Sequence, residues 1–285
     1  MKTETIQTPD GCNLVFDVLE GENKGFLLVH GLASNARLWD GLAEKLNVSG
    51  HQVAIVDQRG HGRSGKPDTG YDFATITSDL AQIADFLSKK YNFQKPIVVG
   101  QSWGAAVVES FAQNYPELTS GIVAVDGGFG ALIESFPDWE DCQKVLAPPN
   151  MLGMKWTVFE DMVRTAHPDW PESGIRGVLA NMEKLPDGTL RPWLKRENHM
   201  KILYHLWQHN PFEICAKIDV PILFVPAGGD PLRDQHKRDG LDRLSVIAKK
   251  CKTVWFDPAS HDLHAQFPTQ LAQLLVSELK DGIFS

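Results

Sequence analysis

The run Gly100-Gln101-Ser102-Trp103-Gly104 closes a β-branched stretch, Ile97-Val98-Val99, and opens a run of helix-compatible residues. A serine with glycine two residues before and two after, set between a strand and a helix, is the pattern of a nucleophile on a sharp, strained turn. Only small residues fit at those flanking positions. Gly100 and Gly104 meet that need, and Ala105 and Ala106 let the helix start close to the strand. Such a turn holds the Ser102 hydroxyl out at the top of a sheet, where a base can reach it. A serine hydroxyl is a weak nucleophile, so it needs a base to take its proton and an acid to orient that base. Histidines in the last part of the chain are His236, His261 and His264, and the carboxylates that follow strands after the serine are Asp126, Asp230 and Asp257. Asp230 sits in a glycine-containing loop, Val225-Pro-Ala-Gly-Gly-Asp-Pro231, and His261 ends Trp255-Phe-Asp-Pro-Ala-Ser-His261. These give the chain order Ser, Asp, His. His205 and His209 stand four apart, a metal-compatible spacing, but a third ligand and the glutamate of H-E-x-x-H are missing, so no metal is expected.

Groups so far apart in sequence meet only if a sheet collects them. In an open parallel sheet, the loops at the carboxyl ends of the strands do so. Strands are predicted over 4–8, 13–19, 25–30, 52–57, 96–100, 121–126, 221–226 and 253–257, and helices over 37–47, 74–90, 103–115, 239–250 and 268–280. Strands apolar throughout and alternating with helices indicate a mostly parallel sheet covered on both faces. The rhythm breaks at 128–215, which shows helical patterns, prolines and polar loops but no convincing buried strand. Its clearest helix is 195–209, with Ile202, Leu203 and Leu206 on one side. A core of residues 1–127 and 216–285 interrupted by a helical cap over 128–215 is therefore expected. The cap holds five of the eight tryptophans, Trp139, Trp156, Trp170, Trp193 and Trp207, which suit an aromatic lid over the serine or the insertion's own small core.

Composition narrows the class. The chain has 285 residues, 42% hydrophobic and 22% charged, as in an ordinary soluble enzyme. A formal charge of −8 argues against nucleic-acid or anionic-membrane partners. The first ten residues carry no apolar signal core, no apolar run is long enough to span a bilayer, and Cys12, Cys142, Cys215 and Cys251 show no C-x-x-C spacing. These read as free thiols in a cytoplasmic protein.

At this level the sequence resembles the α/β-hydrolase superfamily over nearly its whole length. Four motifs carry the resemblance: His30-Gly31-Leu32-Ala33 at a strand end, similar to an oxyanion loop; Asp57-Gln-Arg-Gly-His-Gly-Arg-Ser64, similar to the D-x-R-G-H-G-x-S loop; the Ser102 turn; and His261-Asp-Leu-His-Ala-Gln-Phe-Pro268. Ser260 departs from the pattern by standing where glycine is common. The resemblance implies a doubly wound α/β-hydrolase fold with a helical cap between strands six and seven. It also implies Ser102 as nucleophile, His261 as base and Asp230 as orienting acid. Asp126 is the rival acid, since some members carry it after the earlier strand; otherwise it reads as a loop cap beside Gly127-Gly128. The oxyanion would be met by the backbone N–H groups of Leu32 and Trp103. Trp103, Leu32, Trp207, Leu203 and His264 are the expected substrate-binding residues, while His30 and His61 read as architectural.

The expected chemistry is hydrolysis of a small-molecule acyl ester through an acyl-enzyme, with no cofactor, by a monomer or homodimer. Thioester, lactone and C–C bond hydrolysis use the same triad, and a ligand-sensing receptor with slow turnover is the reading from another class. A serine at the elbow argues against haloalkane dehalogenases and epoxide hydrolases, whose similar members use aspartate there.

Overall fold

A computed structural model describes residues 1–285. In the central strands, successive apolar residues alternate between two buried faces. Phe26 and Leu28, Val53 and Ile55, Ile97 and Val99, Val123 and Val125 belong to one apolar cluster. Their neighbours Leu27 and Val29, Ala54 and Val56, Val98, Ile122 and Ala124 belong to the other. A sheet buried on both faces demands this, because side chains alternate along a strand.

Eight strands form the main sheet: β1 (Lys2–Gln7), β2 (Asn13–Leu19), β3 (Asn23–Val29), β4 (His51–Asp57), β5 (Ile97–Gln101), β6 (Gly121–Val125), β9 (Ile222–Val225) and β10 (Cys251–Thr253), with a separate hairpin of β7 (Met182–Lys184) and β8 (Leu190–Pro192). The order across the sheet is β1-β2-β4-β3-β5-β6-β9-β10. β2 pairs antiparallel with both neighbours, and the other pairings are parallel. The fold is the mostly parallel α/β architecture expected from the sequence. Helices Asp40–Val48 and Pro268–Lys280 cover one face through Leu42, Leu46, Leu271 and Leu275. Helices Phe73–Tyr91, Trp103–Asn114 and Pro231–Ile247 cover the other through Ile76, Leu80, Phe111 and Leu244.

Three elements depart from expectation. β10 pairs at 251–253 rather than 253–257, although a further bridge joins Ala227 to Phe256. The helix expected near 239–250 starts at Pro231. Its first turns are largely exposed, so they carry no apolar periodicity for a sequence reading to detect. The third departure is the β7–β8 hairpin within 128–215. Its strands are three residues each and turn at Asp187-Gly188, where Gly188 has φ 81°. They are too short for an alternation signal.

The insertion between β6 and β9 otherwise holds short helices, of which Arg196–Gln208 is the longest. It has a small apolar cluster of its own, built on Phe159, Val163, Ile175, Leu179 and Leu190. Its tryptophans pack largely within it: Trp139 and Tyr204 flank Trp207, and Trp156 meets Phe159 edge-on. No helix of the protein is long and apolar enough to cross a membrane.

Candidate active site

Ser102 sits at φ 55°, ψ −118°, between β5 and the helix that starts at Trp103. This is a costly conformation for a side chain other than glycine, and strain of this kind is sustained only where the surroundings fix it. Here they do. A Cβ on Gly100 would come within 2.0 Å of the Gly104 carbonyl, and one on Gly104 within 2.6 Å of the Val29 and His30 carbonyls. The Ser102 N–H donates to the Val125 carbonyl at 2.9 Å, tying the turn to the end of β6. Gly31 passes on one side, where a Cβ would lie 3.2 Å from Ser102 Cβ, and Gly127 on the other, 2.4 Å from the Ser102 carbonyl. The strand–turn–helix of the sequence is thus a packed elbow with the serine at its apex.

The loop after β3 is held beside this apex by the loop after β4. His30 is fully buried; its Nε2 accepts from the Gln58 N–H at 3.1 Å, which leaves Nδ1 to donate to the Gly31 carbonyl at 2.8 Å. His61 Nε2 accepts from the Ala33 N–H at 3.2 Å, and its ring stacks on Trp103. Asp57 accepts from the Ala36 N–H and from Arg63, while Arg59 grips Asp79 through two bonds of 2.6 and 2.7 Å. Burial holds both His30 and His61 below the ordinary histidine pKa, so they are neutral fixtures of the loops. The Leu32 N–H has no acceptor within the protein, and Trp103, as the first residue of its helix, has no carbonyl one turn back to bond. Both N–H groups are thus free to meet an acceptor from outside the protein.

His261 and the acid that pairs with it come from two further loops of the sheet. His261 follows β10 in a loop stitched to the loop after β9 by Ala259 N–H to Gly228 carbonyl at 2.9 Å. The Gln101 side chain donates to the His261 carbonyl at 3.2 Å, joining that loop to the elbow. Ser260 fits without a left-handed backbone, and its N–H donates to Gln266 at 2.7 Å. His261 Nδ1 lies 2.6 Å from Oδ2 of Asp126, the residue that follows β6. Asp126 has φ 41°, and its side chain is 4% exposed against 55% for that of His261. A carboxylate can only accept, so Nδ1 carries the proton and Nε2 is left as the basic nitrogen. The His261–Asp126 bond is formed, whereas Ser102 Oγ makes no hydrogen bond to His261. Such links are often long before substrate binds.

The electrostatics match the geometry. Burial alone would push the Asp126 carboxyl up, but the bond and charge of His261, then Lys237 and the Ala227 N–H, bring it below the ordinary aspartate value. For His261, burial pulls down, yet the bond and charge of Asp126 outweigh it and leave the imidazole above its ordinary value.

The expectation that Asp230 orients His261 is corrected. Asp230 caps the helix that starts at Pro231, its Oδ1 accepting from the N–H groups of Leu232 and Arg233 at 3.1 and 3.3 Å. Aspartate followed by proline is a helix-start signal, with the cap residue accepting and proline filling the first helical position. Its side chain is about half exposed and has no bond to His261.

The expected substrate-binding residues divide. Leu32 is half-buried in the loop at the serine. Trp103, Leu203 and His264 are buried at 2%, 2% and 0% exposure, the first against His61 and the last against Trp39. Trp207 spends its N–H on the Phe136 carbonyl at 2.7 Å. None of these five lines the cavity of about 760 Å³ that opens at Ala33, in the loop after β3. That cavity is bounded by 148–152, by Asn181 and Met182, and by residues from Arg191 to His199 other than Trp193 and Asn198. Sequence reasoning missed 148–152, Asn181, Met182, Arg191, Pro192 and Leu194 because they come from loops and a hairpin without periodicity; Arg196, Glu197 and His199 lie at the start of the helix it did predict. Lys237, bonded to Asp126, carried no signal in the sequence at all.

Comparison with known proteins agrees with this architecture. The sequence model of the α/β-hydrolase fold family matches residues 25–268. A 2-(acetamidomethylene)succinate hydrolase from Mesorhizobium japonicum is 29% identical over 179 residues, 61% of this chain and 59% of that protein. This match therefore spans about six-tenths of the relative's length. Among solved structures, E-2-(acetamidomethylene)succinate hydrolase superposes with TM-score 0.74 at 21% identity, over 97% of this chain and 98% of that one. An esterase from Exiguobacterium antarcticum superposes with TM-score 0.70 at 17% identity, over 97% and 99%.

Proposed function

The chain belongs to the α/β-hydrolase family, and on that footing we propose that it is a serine hydrolase of carboxylic esters with Ser102, His261 and Asp126 as its triad. The observation that carries this is the 2.6 Å bond from His261 Nδ1 to the buried Asp126, which follows β6, the strand next to the one that ends at Ser102. It leaves Nε2 unprotonated to take the Ser102 proton as Oγ attacks an acyl carbonyl. The N–H groups of Leu32 and Trp103 take the charge that develops on the carbonyl oxygen, and Asp126 stabilises the imidazolium. His261 then gives its proton to the leaving alcohol. The acyl-enzyme is cleaved by water in a second round of the same transfers.

An acyl group that itself carries a carboxylate is favoured by one observation. The cavity at Ala33 is lined by Arg191, Lys195 and Arg196 and by one acid, Glu197; Arg191 is paired with Glu183 and Lys195 with Asp68, which leaves Arg196 without a carboxylate partner. The relative acting on 2-(acetamidomethylene)succinate takes an acidic substrate by its name.

The test is turnover on p-nitrophenyl esters of increasing acyl length, with hemisuccinate-type acidic members included, for wild type and Ser102→Ala side by side. Multiple turnovers that fall roughly 10⁴–10⁶-fold in Ser102→Ala are expected. Turnover unchanged by Ser102→Ala would contradict the reading.

A further inference from the structure

The loop after β9 and the helix behind it supply no acid to the site, but they hold the acid that is there. Lys237, on the helix Pro231–Ile247, places Nζ 2.7 Å from Asp126 Oδ1 and 2.6 Å from the Ala227 carbonyl. The Ala227 N–H donates to the same Oδ1 at 2.9 Å. Oδ1 thus takes two donors and Oδ2 faces His261 Nδ1 alone. Turning the carboxylate would break all three bonds together. The Lys237 side chain is 19% exposed and that of Asp126 4%.

A buried carboxylate needs compensation in every state of the cycle, and a neutral imidazole offers only a hydrogen bond. We propose that Lys237 is a positioning residue of this active site. It fixes the rotamer of Asp126 and supplies a standing counter-charge that keeps His261 less basic than a bare Asp–His pair would make it. The inference rests on the triad proposed above.

The direction comes from charge. An ammonium near the imidazole disfavours imidazolium, and it also satisfies part of the carboxylate that would otherwise attract the proton. Lys237 lowers the proton affinity of His261 against the stronger upward pull of Asp126. The other titratable and charged groups around the pair are Asp262, next in the chain and itself pushed up by burial, His167 acting on Asp262, and Asp230, Arg233, Asp234 and His236 on the Lys237 side of the adjoining cleft. His264, behind His261, is held neutral by burial, at about 3. Lys237 is the one cation bonded to the acid.

The experiment is the NMR titration of the His261 imidazole in the free protein, assigned by its loss in His261→Gln, for wild type, Lys237→Met and Lys237→Arg. In Lys237→Met the titration moves up by about half to one pH unit, and the acid limb of kcat/KM moves with it. At pH values below that limb, the loss is about three- to tenfold greater than on the plateau. Lys237→Arg, which keeps the charge, returns both toward wild type. Should Lys237→Met not fold, Lys237→Gln, which keeps a donor but no charge, must show the same upward move. A His261 titration unmoved in the uncharged variants, or moved equally by Lys237→Arg, would overturn the proposal. The titration needs no substrate, so it stands even if Ser102→Ala leaves ester turnover intact and the hydrolase reading fails.

Discussion

β6 and β9 are neighbours in the sheet, both are fully buried, and each is followed by a loop with glycines and an aspartate. The two aspartates nevertheless do different work. Asp126 follows its strand directly, in a left-handed conformation, and is packed where three donors converge on a carboxylate shut away from water. Asp230 comes five residues after its strand, on the surface, and spends its oxygen on two N–H groups at the start of a helix. Charge and chain order are the same in both. The next residues along the chain separate them: Gly127-Gly128 lets the backbone pass tightly under the serine, whereas Pro231 commits Asp230 to a helix cap. An acid at a strand end becomes a candidate for catalysis only when its side chain is not already committed to capping the backbone.

The contrast can be broken at the backbone of either loop. The larger effect is expected at Gly127, where a Cβ would fall 2.4 Å from the Ser102 carbonyl and 2.7 Å from its Cα. Gly127→Ala must therefore push the elbow or the Asp126 loop aside. Misplacement on that scale costs about 10² in kcat/KM, measured on the best ester of the series. The smaller effect is expected at the other loop. Asp230→Ala removes the cap of the Pro231 helix and lowers unfolding free energy by about 1 kcal/mol in a denaturant titration, with ester turnover held at the wild-type level.

The sheet was legible because its strands are short, β-branched and buried on both faces, so their pattern survives in sequence. Ser102 was legible because steric need fixes glycine at 100 and 104. His261 was legible from its place after the last strand. Asp126 and Asp230 could be ranked only by what flanks them, and the decisive flank, Asp-Pro before a helix, opens onto turns so exposed that no apolar repeat marks them. Gly240, where a Cβ would fall 1.8 Å from the Phe129 carbonyl, shows that this helix does pack closely, but further along. Trp103 and His264 were placed at the pocket by their nearness in sequence to Ser102 and His261. Both side chains are instead buried, Trp103 against His61 and His264 against Trp39. The cavity wall at 148–152 and 191–194 is built from loops and a hairpin of the insertion, whose positions are set by tertiary contacts that leave no periodic trace, whereas its Arg196–His199 side is the start of a helix the periodicity did mark.

The most direct test is to compare Asp126→Asn and Asp230→Asn as isosteric replacements in one ester assay. Asparagine at 126 offers an amide where His261 Nδ1–H expects an acceptor, favouring the wrong tautomer, and kcat should fall by about 10⁴. Asparagine at 230 caps a helix as well as aspartate does, and kcat should stay within about twofold of wild type. Full turnover in Asp126→Asn with a collapse in Asp230→Asn would contradict the account.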